Sequence, residues 1–174
     1  FVGASRKKKF ELAKDLLKQL SGKGRREVGK PLNAAAFAKR CDEEFAHYRQ
    51  MCPGFKAKTQ VGDDVNGLIV SRGKLLINSD LSLPPSRVKA LLAHEVGTHL
   101  VTYYNGREQP FQQLYSGLAG YEELQEGLAV LSEYLVDGLS RSRMRQLAAR
   151  VVAVRHMIDG ASFVETFRIL DRDY

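Results

Sequence analysis

The sequence predicts an α+β domain that is mostly helical with a small antiparallel sheet or hairpin. Apolar residues recur at helical spacing towards both ends of the chain, whereas three short runs, residues 56–61, 67–71 and 74–78, are typical of strands. Arg72-Gly73 separates the last two runs and favours a tight hairpin turn. This order, in which helices precede a small sheet and further helices follow it, is typical of α+β domains.

Helix signals stand on both sides of these strands. We expect a first helix over residues 5–20 and a second from Asn33, as its N-cap, to just before Pro53. Pro84-Pro85-Ser86 opens a third, and Asn105-Gly106 ends it with a residue suited to positive φ. The remaining three are a helix that ends at Gly138, one that Ser140 caps and that runs to Ile158, and one opened by a capping box from Ser162 to Glu165.

Composition sets the size and class. With 174 residues, 44% of them hydrophobic and 27% charged, we expect a single domain over residues 1–174. The chain begins with Phe1 rather than Met, so we expect it to be a fragment of a longer chain. No apolar run approaches the roughly 18 residues of a membrane helix. Cys41 and Cys52 bracket a helix at roughly 16 Å, too far for a disulfide, so we expect free thiols, a buried Cys41 and a cytoplasmic protein.

The segment from His94 to His99, HEVGTH, carries the most chemical information. Two neutral imidazoles can bind Zn²⁺, and Glu95 can take a proton from a water whose pKa the ion lowers to about 7. In a regular α-helix, however, residues five apart point roughly 140° away from each other. A π-bulge, or a helix end near Gly97, would return both rings to one side. The alternative is a plain helix in which Glu95 and His99 pair and no metal binds.

Glu126 lies 27 residues beyond His99 and could supply a third protein ligand. On its helix, one apolar stripe lies opposite a row of acidic side chains. The stripe consists of Leu124, Leu128, Leu131 and Leu135, and the opposite row consists of Glu122, Glu126, Ala129 and Glu133. Periodicity alone predicts a solvated acidic row. A metal facing that row would instead make Glu126 a ligand, with Glu122 or Glu133 in contact with the ligands, and both possibilities stay open.

The strings HEVGTH and GLAGYEELQEGLAV, with Asn105-Gly106 and Gln109-Pro110-Phe111 between them, resemble the QEGLA-motif proteins. Their eukaryotic relatives are the microtubule-associated tyrosine carboxypeptidases. The resemblance is densest over residues 66–138. It implies a gluzincin-like metallopeptidase domain in which His94, His99 and Glu126 bind zinc and Glu95 is the general base, although Glu122 and Glu123 remain alternatives to Glu126. It also implies a zinc-dependent peptidase acting on a peptide or protein C-terminus, more specifically a carboxypeptidase that removes an aromatic residue.

A peptidase needs further groups around such a site. The developing oxyanion calls for a donor, and we expect Tyr121 because it precedes the ligand helix. The other candidates are Tyr103, Tyr104, Tyr115 and His156. A free substrate carboxylate calls for a cation, either Arg107 or Arg155. Residues 69–76, the expected hairpin, could pair with the substrate backbone or only cover the core. We also expect Arg155 and His156 to be an interior pair.

The formal charge of +7 raises a different possibility. One basic cluster comprises Lys7, Lys8, Lys9, Lys23, Arg25 and Arg26, and a second comprises Arg141, Arg143, Arg145, Arg150 and Arg155. Neither has the interleaved aromatic residues of a stacking platform, so a nucleic-acid partner is disfavoured and a solvated basic surface is expected. Two alternative functions stay open, a non-catalytic zinc-stabilised regulatory domain and a basic nucleic-acid-binding module.

Overall fold

A computed structural model describes residues 2–20 and 29–173. The chain divides into two compact units, one formed by residues 1–26 with 139–174 and the other by residues 27–138. Lys23, Arg25 and Arg26, from the first basic cluster predicted from the sequence, lie outside the described residues. No helix in the described ranges is long and apolar enough to cross a membrane.

The helices are, in chain order, α1 (Val2–Gln19), α2 (Ala34–Met51), α3 (Pro85–Leu91), a π-helix (Leu92–Leu100), α4 (Val101–Arg107), α5 (Gln113–Ser116), α6 (Tyr121–Leu135), α7 (Arg141–Ile158) and α8 (Phe163–Asp173). The strands are β1 (Leu32–Asn33), β2 (Lys58–Gly62), β3 (Leu68–Ser71), β4 (Lys74–Asn78) and β5 (Ser82–Leu83). Helices therefore dominate and the sheets are small, as the sequence predicts.

The unit of residues 1–26 and 139–174 is helical. Its core is formed by small and apolar side chains of α1 and α7, namely Ala13, Leu17, Ala148 and Val152. The two predicted caps are confirmed: the Ser140 hydroxyl accepts from the amide of Arg143, and Ser162 and Glu165 form the reciprocal bonds of a capping box. These caps satisfy amides at the starts of α7 and α8 that have no partner within the helix.

The unit of residues 27–138 is built around α2 and the π-helix. Asn33 caps α2 as predicted, its Oδ1 accepting from the amide of Ala36 at 2.9 Å. Side chains of α2, β4 and the π-helix are fully buried together, namely Phe37, Cys41, Phe45, Leu75, Ile77, Val96 and Leu100. The segment that carries the histidines is therefore fixed by the core on one side.

The three-stranded sheet has the order β2-β4-β3. β3 and β4 form the predicted antiparallel hairpin, but β2 pairs with β4 in parallel, so the sheet is mixed rather than antiparallel. Alternating side chains predict that a strand exists but not its direction, since both directions present the same faces. A second sheet, β1 with β5, has two residues in each strand and was not predicted.

Gly106 corrects another prediction. The helix continues to Arg107, and Gly106 lies within it rather than ending it at positive φ. A Cβ at this position would collide with the carbonyl group of Leu114 at α5. Glycine is therefore needed here for the close approach of two backbones.

Candidate metal centre

The predicted departure from α geometry between His94 and His99 is confirmed. Both lie in the π-helix, and the amide of Val101 at its end donates to the carbonyl of Val96, five residues earlier. A π-turn holds one residue more than an α-turn, so residues five apart come to the same side. The two imidazole rings consequently face each other with centroids 4.9 Å apart.

Glu126 of α6 completes a cluster with these histidines. Its carboxylate oxygens lie 3.4 Å from Nε2 of His99 and 3.8 Å from Nε2 of His94. One ligand atom from each of the three residues lies within 4.8 Å of the other two. The Glu126 side chain is 63% exposed, so one side of the cluster is open to solvent.

The donor set and its spacing fit a zinc ion. Imidazole nitrogen and carboxylate oxygen are ligands that zinc takes in catalytic sites, and the ligand atoms of a tetrahedral site with bonds of about 2.1 Å lie about 3.4 Å apart. The observed separations of 3.4 and 3.8 Å are longer than the usual N–H···O hydrogen bond, so the three groups surround a common point rather than bond directly to each other.

The orientation of α6 decides between the two possibilities for its acidic row. Ala129 and Glu133 are fully buried, whereas Leu124 and Leu135 are 63% and 72% exposed. The acidic row therefore faces the π-helix, and the leucine stripe faces outward, contrary to what periodicity alone predicts. Polar bonds hold the two helices together, because the Ser132 hydroxyl lies 3.0 Å from that of Thr98 and donates to the carbonyl of Ala93.

His94 is held by a buried charged pair. Its Nδ1 lies 2.9 Å from one carboxylate oxygen of Glu133, and the other oxygen accepts from Arg87 at 2.8 Å. Arg87 also donates to the carbonyl of Gly138. Burial and the nearby His99 lower the pKa of His94, against the opposite effect of Glu133 and Glu126. With the Nδ1 proton donated to Glu133, the neutral ring presents Nε2 as an acceptor towards the cluster.

His99 is held by a neutral side chain that neither sequence motif marks as a site residue. Its Nδ1 lies 2.8 Å from Oε1 of Gln125, and Nε2 of Gln125 donates to the hydroxyl of Tyr121 at 3.0 Å. An amide oxygen can only accept, so this contact places the proton of His99 on Nδ1. The rule that a metal-bound histidine bonds through its second nitrogen could have identified Gln125 beside Glu126.

Comparison with known proteins identifies the family of the chain. The family model described as microtubule-associated tyrosine carboxypeptidase matches residues 2–173. The chain belongs to this family. The match extends beyond the two motifs over nearly the whole chain, and it indicates carboxypeptidase-type activity in broad terms. No curated protein and no solved structure matches the chain.

The other residues predicted for the active site of this carboxypeptidase family member are the general base, the oxyanion donor and the carboxylate-binding cation. Glu95 is 9% exposed and follows His94 in the π-helix. Tyr121 begins α6 and reaches His99 through Gln125. Arg107 lies on α4, where it donates to the hydroxyl of Tyr103.

Two of the other candidates have structural roles. The hydroxyl of Tyr104 donates to the carbonyl of Gly73, so it supports the hairpin turn. Arg155 belongs to the other unit, where its guanidinium bonds to Asp159 through two nitrogens and is 44% exposed. The prediction of an interior Arg155–His156 pair is wrong, because Arg155 is exposed and His156 is only half-buried. Of the apolar side chains around them, Val152 is buried, whereas Val151, Val154, Met157 and Ile158 are exposed.

Proposed function

We propose that this protein is a zinc-dependent carboxypeptidase with a gluzincin-like active site. The observation that supports it most is the convergence of His94, His99 and Glu126 from two helices, with separations suited to one tetrahedral ion. The Nδ1 partners of both histidines, Glu133 and Gln125, add to this, because ligand histidines usually bond through their second ring nitrogen in this way.

Each active-site residue has a proposed role. His94, His99 and Glu126 would hold zinc, which when bound polarises a carbonyl and lowers the pKa of water. Glu95 takes a proton from the attacking water and passes it to the leaving amine. The hydroxyl of Tyr121, whose position Gln125 fixes, donates to the oxyanion as it forms.

The substrate is proposed to be the C-terminus of a peptide or protein. β3 is an edge strand, since the sheet order is β2-β4-β3, and its free edge can pair with an extended substrate backbone. Arg107 is the proposed partner of the terminal carboxylate, because it is exposed and lies in the same unit as the cluster. Membership of the tyrosine carboxypeptidase family suggests removal of a C-terminal tyrosine, and the charge of +7 favours acidic substrates.

The first experiment is Glu95→Gln. This change preserves shape and removes the proton acceptor, so hydrolysis should fall by at least about 10²-fold while zinc content stays unchanged. The matched control is Glu123→Gln, at an exposed position of α6 outside the cluster. Peptide cleavage is followed by mass spectrometry and zinc by elemental analysis. Equal cleavage by Glu95→Gln and the parent would exclude Glu95 as base, and zinc loss would make it a ligand.

A second experiment tests exopeptidase action with a peptide library, each member offered with a free and an amidated C-terminus. Amidation should abolish cleavage, and Arg107→Ala should raise KM for the free form more than it changes kcat. Cuts at internal bonds that survive amidation would instead show an endopeptidase. Bound zinc without cleavage of any peptide would support a regulatory, non-catalytic domain.

We also propose a cytoplasmic location. Cys41 and Cys52 are both free thiols, one buried and one half-buried, and free cysteines are typical of reducing compartments. Imaging of the tagged protein in its own cell checks this, and secretion into the medium would contradict it.

A further inference from the structure

A second concave site lies in the same unit as the metal-binding cluster and shares no residue with it. This basic cleft has a volume of about 550 Å³ and is lined by five cationic side chains, Arg49, Lys56, Lys58, Arg72 and Lys74. Arg49 lies near the end of α2, Lys56 and Lys58 lie just before and at the start of β2, and Arg72 and Lys74 lie in the β3–β4 turn and at the start of β4. A volume of this size is typical of small-ligand sites.

Two of the cations are placed side by side at an energetic cost. Lys58 and Lys74 are direct partners in the parallel β2–β4 pairing, so their side chains stand on the same face of neighbouring strands. Like charges opposite each other destabilise a sheet. Sheet stability therefore does not account for this pair.

The β3–β4 turn is a second place where a cationic side chain has an energetic cost. Arg72 has φ of +49°, a conformation that favours glycine or asparagine at this hairpin position, whereas the sequence has arginine. The turn is also pinned to α4, because the Tyr104 hydroxyl donates to the carbonyl of Gly73. A Cβ at Gly73 would lie only 2.6 Å from the ring of Tyr103, so the turn could not approach α4 with another residue there.

The cations of the basic cleft are not neutralised within the part of the chain that the structure describes. None of the five forms an ion pair there, although Arg49 is oriented by a 2.8 Å bond from its Nη2 to the carbonyl of Ala57. A bound anion would relieve the repulsion between them and explain why arginine is kept in an unfavourable backbone conformation.

We propose that the basic cleft binds the clustered phosphate groups of a compact polyanion. Five charges around one small volume match phosphates that lie close together. An extended nucleic acid would need stacking platforms, whereas the one aromatic lining residue, Tyr104, is only 9% exposed and its hydroxyl bonds to the turn. Both a free oligophosphate and a phosphorylated lipid headgroup have this chemistry.

The test is calorimetric titration of the full chain with inorganic tripolyphosphate. Binding should weaken at least about tenfold in the double variant Lys58→Gln, Lys74→Gln, since charge-assisted bonds are lost. The matched control, Lys39→Gln with Lys89→Gln, removes two exposed charges outside the cleft and should change affinity by less than about twofold. If a metal at the His94 cluster held the phosphate instead, tripolyphosphate affinity would be unchanged in both double variants. That result would overturn the proposal, as would the absence of tripolyphosphate binding to the parent.

Arg72→Asn separates binding from folding. Asparagine tolerates positive φ better than arginine, so this variant should melt at a higher temperature than the parent and yet bind tripolyphosphate more weakly. Weaker binding in a protein that is more stable cannot result from misfolding. Unchanged affinity in Arg72→Asn, together with unchanged affinity in the lysine double, would refute the site.

Two further ligands identify the source of the phosphates. Co-sedimentation with phosphatidylcholine vesicles that contain phosphatidylinositol bisphosphate, lost in the lysine double, would indicate a lipid headgroup. Tripolyphosphate binding without vesicle binding would indicate a soluble oligophosphate, and either result supports the site. A polyglutamate peptide that binds as tightly as tripolyphosphate, with the same dependence on Lys58 and Lys74, would overturn the assignment to phosphate.

Discussion

The two histidines of the cluster are held in different ways. His94 is bound by the fully buried carboxylate of Glu133, which in turn pairs with Arg87, whereas His99 is bound by the neutral amide of Gln125 and, through it, by Tyr121. Both contacts leave Nε2 facing Glu126. The two histidines are therefore oriented in the same way, His94 by a buried charge and His99 by a neutral group. Substitutions on the His94 side and on the His99 side should consequently have different effects on stability and metal binding.

Buried charge makes the His94 side sensitive to the loss of any one member. An ion pair inside a protein balances large opposing energies, so removing one partner leaves the other unpaired and costs about 3–5 kcal/mol. Loss of the neutral hydrogen bond from the half-buried Gln125 has a smaller cost, about 0.5–1.5 kcal/mol. The His94 side should thus couple metal binding to folding, and the His99 side should affect metal binding alone.

Loss of either histidine should have the largest effect. His94→Ala and His99→Ala each remove one of three protein ligands, so the zinc content of the purified protein should fall from near one per chain towards zero. His94→Ala should also lower the free energy of unfolding more, because Glu133 keeps Arg87 but loses its second partner. Elemental analysis and urea unfolding measure the two effects. Undiminished zinc in both variants would end the ligand assignment.

Glu133→Gln is expected to have the next largest effect. The amide keeps the shape but leaves Arg87 without its buried carboxylate, so the free energy of unfolding should drop by about 3 kcal/mol. Zinc affinity should fall about 10–100-fold, since the amide offers one acceptor oxygen to two donors, so that either Nδ1 of His94 or the guanidinium of Arg87 faces its NH2 group. Urea unfolding of metal-free protein isolates the first effect. A stability change no larger than that of Gln125→Ala would remove the distinction between the two sides.

Gln125→Ala should act on metal binding and little on folding. Zinc affinity should fall about tenfold because His99 loses the group that fixes its tautomer. The free energy of unfolding should change by less than about 1.5 kcal/mol, in keeping with a neutral hydrogen bond. Competition with a zinc-binding dye gives the affinity. Gln125→Glu is the matched variant, and it should retain zinc because a carboxylate also accepts from Nδ1.

The remaining prediction concerns Cys41, on the buried side of the π-helix, where the effect on stability is absent at neutral pH and develops only at alkaline pH. Burial, together with the charges of Asp42 and Glu95, raises the pKa of this thiol to about 12. The folded state therefore favours the neutral thiol, and its contribution to stability is complete below pH 9 and is lost as pH rises towards 12. Cys41→Ala should flatten the alkaline loss of stability relative to the parent. An unchanged profile in urea unfolding between pH 8 and pH 11 would contradict this.

Much of this architecture follows from local sequence signals. The caps at Asn33 and Ser140, the hairpin at Arg72-Gly73 and the wide turn between His94 and His99 depend on neighbouring residues alone, and each was predicted and is observed. The spacing of the two histidines was sufficient because a shared ligand and a regular α-helix are geometrically incompatible.

Longer-range features could not be predicted in this way. The parallel pairing of β2 depends on how the chain returns to the sheet, and the inward orientation of α6 depends on what packs against it. Helical periodicity finds two faces on α6 but does not show that Glu133 meets Arg87, 46 residues away, or that Gln125 meets His99. Buried polar networks override the hydrophobic pattern because their partners come from distant segments.

The most direct test of the account is an anomalous-scattering map, recorded at the zinc absorption edge from crystals of the purified protein. We expect a single strong peak per chain, about 2.0–2.2 Å from Nε2 of His94, Nε2 of His99 and a carboxylate oxygen of Glu126. The peak should be absent from crystals of His99→Ala. A map without a peak in zinc-supplemented crystals, or a peak held by residues other than these three, would contradict the central claim.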